Sequence, residues 1–424
     1  MGSIEKRSEN SYRITVSDGY DINGKKIRKH KSVTIDPKLT PKQVEKELQR
    51  LSIEFENQVQ TGQVIDNNIS LYDFSKKWLL EYVEKQLQPK TLVSYRSELE
   101  SKILPALGHL KISKIQPIHI LEFLNNLLED GVRLDGKPGS YSNRTVKYQH
   151  QILSSIFQTA VYWQILLSNP CERVKPPKKD DLNRKVKYFN EKQAIIFLDS
   201  IKCEELKYQL IANLTLYGGL RKGELLGVTW NEIDDKNFTI EINKAIQYLP
   251  DTGNFTKTPK NKTSIRTISI PQNVFKLLKE YKVWQNGERK KAGELWDKDW
   301  DKTPFIFTQW NGLPMNYDTP YGWFKKFIKR HNKQILENES IPKEAKEKYI
   351  LPEIPFHGLR HTSATLLIAG KADIKTISSR LGHSQTSTTL NIYAHSLRSS
   401  DEKAALTLEN LLNKNKNTEV PKQA

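Results

Sequence analysis

The sequence predicts a multidomain chain, mainly α-helical with small β-sheets, and three observations lead to that class. Its 424 residues exceed what one hydrophobic core ordinarily serves and allow two or three domains. Apolar positions alternate along the first stretch but recur at helical spacing from about residue 70. Then Val174-Lys-Pro-Pro-Lys-Lys-Asp-Asp, with paired prolines, dense charge and no periodicity, reads as a linker before a third region of mixed character.

Residues 1–66 read as a small sheet plus a helix. Tyr12, Ile14 and Val16 alternate, turn signals follow at Asp18-Gly19 and Asn23-Gly24, and Ile27 to Ile35 is a second extended run. That run and its approach carry Lys25, Lys26, Arg28, Lys29, His30 and Lys31, and a short basic sheet of this kind fits a DNA major groove. Thr40 is placed to cap a helix, with Pro41 at its first position and Gln43 completing a capping box. Val44, Leu48, Leu51, Phe55 and Val59 then form the stripe that packs under the sheet.

Residues 70–173 read as helical. Leu71, Phe74, Trp78, Leu79 and Tyr82 make one stripe, and Pro89 with Lys90-Thr91 opens the next helix. A further helix from about Ser142 carries Val146, Ile152, Ile156, Ala160 and Trp163, and is expected to run to Ser168-Asn169-Pro170, where proline forbids continuation. Lys90, Tyr95 and Arg96, with Lys102, Lys111 and Lys114, are candidate phosphate contacts. The linker spans 174–188. Asn190 with Gln193 caps the first helix of the third region, 189–412, which also holds strands around Phe238 to Ile242 and Arg266 to Ile270. The polar tail, 413–424, is expected to be flexible.

Composition narrows the partner. The net charge of +18 favours a polyanion, nucleic acid or an anionic membrane surface. No stretch approaches the roughly 18 apolar residues of a spanning helix, and the N-terminus MGSIEKRSEN has no apolar core for a secretory signal. Cys171 and Cys203 are too few for a disulfide framework and lack metal-site spacing. A cytoplasmic protein acting on DNA, with no membrane partner, is the expectation.

Four separated motifs in the third region carry chemistry. Gly218-Gly219-Leu220-Arg221-Lys222-Gly223-Glu224-Leu225 sets a tight turn before a helix presenting Arg221 and Glu224. Pro259-Lys260-Asn261-Lys262-Thr263-Ser264-Ile265-Arg266 is a basic turn leading into a strand. His357-Gly358-Leu359-Arg360-His361-Thr362 places His357 and Arg360 on one helical face, and Leu381-Gly382-His383 precedes Tyr393 in Leu390-Asn391-Ile392-Tyr393-Ala394-His395.

These residue types suit phosphoryl transfer by a tyrosine nucleophile. Two arginines grip the non-bridging oxygens of one phosphate and stabilise the charge that grows there. Tyr393 attacks phosphorus, and the phosphotyrosyl link stores the bond, so no nucleotide cofactor is called for. His357 and His383 manage protons, and Lys260 is suited to protonate the departing 5′-oxygen. A phenol with a pKa near ~10 needs such help at neutral pH. Trp230 and the Leu225-Leu226 pair read as core, and His361 and His395 as hydrogen-bonded core histidines. A zinc reading of His357 and His361, four apart, meets Gly358 where a metalloprotease motif needs Glu, with Arg360 set to repel a dication. No metal is expected.

At GGLRKGELLGVTW, PKNKTSIRTISI, HGLRHTSATLL and LGHSQTSTTLNIY the sequence resembles the tyrosine recombinase family, the lambda-type integrases, and is most similar to those of Gram-positive phages and conjugative transposons. The resemblance implies a catalytic set of Arg221, Lys260, His357, Arg360, His383 and Tyr393, with Glu224 supporting the first arginine. The family often has Thr where Asn261 stands, and Lys262 is the alternative general acid. It further implies an arm-type DNA-binding domain over 1–66, a SAM-like core-binding domain over 70–173 and an α+β catalytic domain over 189–412. Implied partners are double-stranded DNA at core and arm sites, a homotetramer on that DNA, an excisionase and a host DNA-bending protein. The C-terminal helix around Asp401 to Leu412 would pack on a neighbouring protomer. Two other readings share these residues: a type IB topoisomerase-like enzyme that nicks and reseals, and a DNA-binding protein without catalysis.

Overall fold

The structure, a computed structural model, describes residues 2–20, 24–60, 69–178, 186–257, 265–383, 385–387, 389, 390 and 409. The chain divides into two compact units, Met1–Leu182 and Asn183–Ala424.

The first unit begins with an antiparallel sheet of three strands in the order β1 (Ser3–Ser8), β2 (Ser11–Tyr20) and β3 (Lys26–Thr34). β2 runs on through Asp18-Gly19, where the turn was expected. Gly19 takes a φ of +78°, and the register with β3 shifts between Ser17 and Tyr20, so the signal marks an irregularity in a continuing strand. Helix α1 (Pro41–Gln60) packs on one face, where Ile14 and Val16 meet Phe55 and Val59. The N–H of Thr40 donates to Gln43 Oε1 at 2.9 Å, as the capping pattern predicted.

The same unit continues with α2 (Leu71–Trp78), α3 (Pro89–Glu98), α4 (Pro117–Asn126) and α5 (Asn143–Tyr162). Single π-type turns, Leu79–Val83 and Leu99–Ile103, prolong α2 and α3. Their core holds Trp78, whose indole N–H donates to Thr159 Oγ1 at 3.1 Å and whose ring stacks on Tyr95 at 5.6 Å. α5 starts where Ser142 caps it but ends at Tyr162, well before Pro170. Gln164 adopts a left-handed φ of +56°, and the N–H groups of Ile165 and Leu166 both donate to Ala160 O, which closes the helix locally.

The second unit opens with α6 (Glu191–Ser200), started by the Asn190–Gln193 capping box, then α7 (Leu206–Gly218) and α8 (Lys222–Gly227). Strands β4 (Ile233–Asp234) and β5 (Thr239–Ile242) follow, then the hairpin β6 (Ala245–Leu249) and β7 (Gly253–Lys257), then β8 (Arg266–Ser269). The sheet order is β4-β5-β8, with β6-β7 paired apart. Four longer helices follow among the described residues: α9 (Gln272–Ala292), α10 (Thr319–Glu337), α11 (Gly358–Ala369) and α12 (Ile374–Leu381). One core joins Phe197 and Leu214 of the helices to Ile240 and Ile268 of the sheet, Phe324 of α10 and Leu359 of α11. No helix among the described residues is long and apolar enough to cross a membrane.

Candidate active site

The turn between α7 and α8 begins the site. Gly218 ends α7, and Gly219 caps it in the left-handed conformation, φ +63°. The backbone conformation favours glycine at 219, and a Cβ there would stand 2.7 Å from Leu381 Cδ2, so that side chain would have to shift. This reversal makes Arg221 the N-cap of α8 and Glu224 its third residue. The Arg221 N–H donates to Glu224 Oε2 at 2.9 Å, and Arg221 Nη1 donates to Oε1 at 2.6 Å.

Glu224 is buried among three guanidinium groups. Arg266, at the head of β8, donates from Nη2 to Oε2 at 2.8 Å and from Nη1 to Oε1 at 3.3 Å. Arg360 Nη1 lies 3.9 Å from Oε2. Burial alone would raise the Glu224 carboxyl, but the Arg266 hydrogen bond and charge, then Arg221, outweigh it and hold the pKa at about 2. Glu224 is therefore an anion throughout the neutral range.

Arg360 sits in the first turn of α11 and is 2% exposed. A buried guanidinium must have acceptors, and it finds two at helix ends: Nη1 donates to Gly219 O and Nη2 to Leu381 O, each at 2.6 Å. Arg221 Nη2 donates to the next carbonyl, Gly382 O, at 3.0 Å. These bonds tie the α7–α8 turn and α11 to the end of α12, where Gly382, at φ +63°, leads into His383.

The histidines lie around the arginines. His357 is the N-cap of α11 and is exposed, and its ring meets His361 edge-on at 4.8 Å between centroids. Partial loss of water lowers the His357 pKa, followed by the Arg360 and Arg221 charges. His383 hydrogen-bonds through Nδ1 to buried Thr389 Oγ1 at 2.8 Å. Burial, then Arg360, Arg221 and Arg266, push His383 down to about 4. His361, expected as a core histidine, is half-buried and likewise pushed to about 4 by burial, then His357 and Arg360. With no anion bound, both rings are neutral at pH 7 and receive a proton only when negative charge arrives.

Arg221, Glu224, His357, Arg360 and His383 thus share one neighbourhood. Lys260, Lys262, Tyr393, His395 and, apart from Glu409, the segment from Asp401 to Leu412 lie outside the described residues. Arg266 and Thr389 belong to the same network and were not singled out from the sequence. Among the described residues, no group of three or more His, Cys, Asp or Glu is arranged to hold a metal ion.

The DNA-binding candidates divide by face. Strand register sets Ile14 opposite Lys31 and Val16 opposite Lys29, so both lysines share the side packed on α1. Lys31 Nζ lies 5.8 Å from the Phe55 ring centre, and Lys29 Nζ lies 4.0 Å from Asp18. Arg28 is on the opposite, open face, with Arg13, Thr15 and His30, while Lys25 and Lys26 are exposed at its edge. On the helices, Lys90 and Arg96 are exposed, but Tyr95 is half-buried against Trp78. A groove of about 560 Å³ between α3 and α5 is lined by Glu98, Arg144, Lys147, Tyr148 and Gln151.

Residues 185–400 match the model of the phage integrase family, and residues 70–128 match its N-terminal SAM-like domain. The chain belongs to the phage integrase family. Membership agrees with the motif resemblance and makes it an enzyme of the tyrosine recombinase class, whose activity is site-specific DNA recombination. It is similar to a tyrosine recombinase XerC-like protein of Caldanaerobacter subterraneus subsp. tengcongensis, 29% identical over 420 residues, covering 96% of this chain and 97% of that one. The ICEBs1 integrase of Bacillus subtilis is 27% identical, covering 97% of this chain and all (100%) of its own. Among solved structures, the Tn1549 transposon integrase with circular intermediate DNA matches with a TM-score of 0.61 at 21% identity, covering 80% of this chain and 100% of that chain. That likeness extends the family assignment to the fold.

Proposed function

We propose that this recombinase integrates and excises a mobile element, cleaving DNA through Tyr393 with Arg221, Lys260, His357, Arg360 and His383 around the scissile phosphate. The observation that carries the reading is the meeting of Arg221 and Arg360 at Glu224, beside two histidines whose surroundings keep them neutral. The two side-chain bonds of Arg221 use two of its five donors, which leaves others for the non-bridging oxygens. The Tyr393 hydroxyl oxygen attacks phosphorus, the 5′-oxygen leaves, and the 3′-phosphate stays joined to the tyrosine. Lys260, or Lys262 in its place, protonates the leaving oxygen. His383 and His357 hydrogen-bond the phosphate and take or return protons as charge shifts. Attack by the 5′-hydroxyl of a second strand reverses the chemistry and exchanges partners. Neither nucleotide nor metal enters this scheme.

The remaining parts follow from the family and the faces of the fold. Residues 1–66 form the arm-site domain, 70–173 the core-site domain and 189–412 the catalytic domain, with 174–188 between them. The open face of the N-terminal sheet, with Arg13, Arg28 and His30 alongside Lys25 and Lys26, lies in the arm-site major groove. Lys29 and Lys31 act at longer range from the sheet's packed side. Lys90, Arg96, Arg144 and Lys147 hold core-site phosphates, and Tyr95 supports that surface from within. The enzyme works in the host cytoplasm as a homotetramer through a Holliday junction, with an excisionase and a host DNA-bending protein in the excision direction. An apolar cleft of about 640 Å³, lined by Ile195, Leu198, Leu216, Ile270 and Leu366, suits the C-terminal helix of a neighbouring protomer.

The test is recombination of a plasmid carrying the element's two joined ends with a linear duplex carrying the chromosomal site. The reading expects linear recombinants. A topoisomerase-like enzyme relaxes the plasmid without them, and a non-catalytic binder leaves both substrates intact.

A further inference from the structure

Three consecutive carbonyls at the end of α12 each accept a hydrogen bond from a different arginine. Arg380 O accepts from Arg266 Nε at 2.7 Å, Leu381 O from Arg360 at 2.6 Å, and Gly382 O from Arg221 at 3.0 Å. The turn that carries His383 is thus held from three elements at once: β8, α11 and the α7–α8 reversal. Of the three arginines, Arg266 is the more buried of the two that hydrogen-bond both Glu224 and the α12 turn, with 6% of its side chain exposed against 39% for Arg221. Its Nε reaches the α12 turn while its two terminal nitrogens reach both oxygens of Glu224.

We propose that Arg266 is a positioning residue for DNA cleavage, bracing Glu224 against the last turn of α12 so that Arg221, Arg360 and His383 keep one spacing. A planar guanidinium suits this task because its donors point in fixed directions toward acceptors on two elements. Lysine has one nitrogen and cannot span both. The close approach is built in, since a Cβ on Gly382 would stand 2.8 Å from Arg266 Nη1. Without the brace, Glu224 keeps its two bonds to Arg221 but loses the two to Arg266, and the Arg380 carbonyl loses the Arg266 donor. Arg266 also begins β8, directly after the segment that contains Lys260 and Lys262, so the same side chain anchors the strand that follows the proposed general acid.

The inference rests on the reading of Arg221 and Arg360 as phosphate ligands, and its test separates the two. The full-length protein, R266A and R266K, each also with E224Q, are given a nicked core-site duplex that traps the covalent adduct. Single-turnover rates at saturating protein are compared with the Kd for the intact duplex and with melting curves. R266A is expected to slow cleavage by about tenfold or more, with Kd within about threefold of the parent. R266K should recover part of the rate, and R266A should add little once Glu224 is already Gln. The acid limb of the pH–rate profile should move to higher pH in R266A. Glu224 is then faced by Arg221 of the α8 cap and Arg360 of α11, with His357 beyond, and it takes up a proton more readily.

A folded R266A that cleaves within about twofold of the parent overturns the proposal. So does a rate loss matched by an equal loss of affinity, or one that is fully additive with E224Q. If R266A does not fold, R266K decides on the same criteria, since it keeps charge and bulk. A parent that forms no adduct at all removes the underlying reading rather than the role of Arg266.

Discussion

Replacing Glu224 by Gln removes the charge at the centre of the arginine cluster while keeping its size. The magnitude comes from the carboxyl itself, lowered from 4.5 to about 2 with 10% of its side chain exposed. That drop, at about 1.4 kcal/mol per unit, is worth roughly 3 kcal/mol of folding stability. It agrees with the range of about 3–5 kcal/mol for breaking a buried charge pair. The folded pKa is depressed, so the contribution is complete above pH 4.5 and is lost as pH falls toward about 2. Urea unfolding of parent and E224Q, followed by tryptophan fluorescence, should differ by about 3 kcal/mol at pH 7. The gap should narrow steadily below pH 4.5, and taking the difference cancels groups that titrate alike in both proteins. A gap under about 1 kcal/mol, the scale of a solvated surface pair, would refute the reasoning. So would a gap that ignores pH.

Arg221→Ala and Arg360→Ala should each slow cleavage about 10²-fold or more, the scale of losing a donor to a growing anion; adduct formation under single turnover checks this. Arg360→Ala should also lower the melting temperature more than Arg221→Ala, because Gly219 O and Leu381 O lose their donor in a buried setting while Arg221 is partly solvated. Binding to a full attachment site should weaken steeply with salt, by about 10³-fold or more between 50 and 200 mM if six or more phosphates are neutralised. A shallow slope in anisotropy titrations would restrict the footprint to a few phosphates.

Much of the frame was legible because its signals are local. The Asn190–Gln193 box, the Ser142 cap and the Ile14–Val16 alternation each specify a start or a face over a few residues. The site arginines and histidines were legible because four motifs resembled the recombinase family's in order, and the structure sets them in one neighbourhood. Arg266 was passed over as one charge in a basic turn, yet it left a signal. It holds the inward phase of β8, in step with Ile268 and Ile270, and an arginine at a buried strand position requires acceptors nearby. In the basic strand, charge density pointed to Arg28, Lys29 and Lys31 together, whereas register with Ile14 and Val16 sets Lys29 and Lys31 on the helix side and leaves Arg28 on the open face with Arg13 and His30. Strand β1 and the β6-β7 hairpin were missed because SIEKRS has one apolar residue and the Asp251–Gly253 turn was not weighed. Thr389 lies only six residues beyond His383, yet in a run of Ser and Thr nothing in the pattern marks which hydroxyl turns back to the ring.

The central claim is that the phenol of Tyr393 becomes bonded to the scissile phosphate under the grip of Arg221 and Arg360. Its most direct measurement is mass spectrometry of the protein–DNA adduct trapped on a nicked core-site duplex, after digestion of both components. The account predicts a nucleotide phosphate on the peptide containing Tyr393, and no adduct from Tyr393→Phe, which should still bind the duplex. An adduct on another residue, or one that persists in the Phe variant, would contradict it.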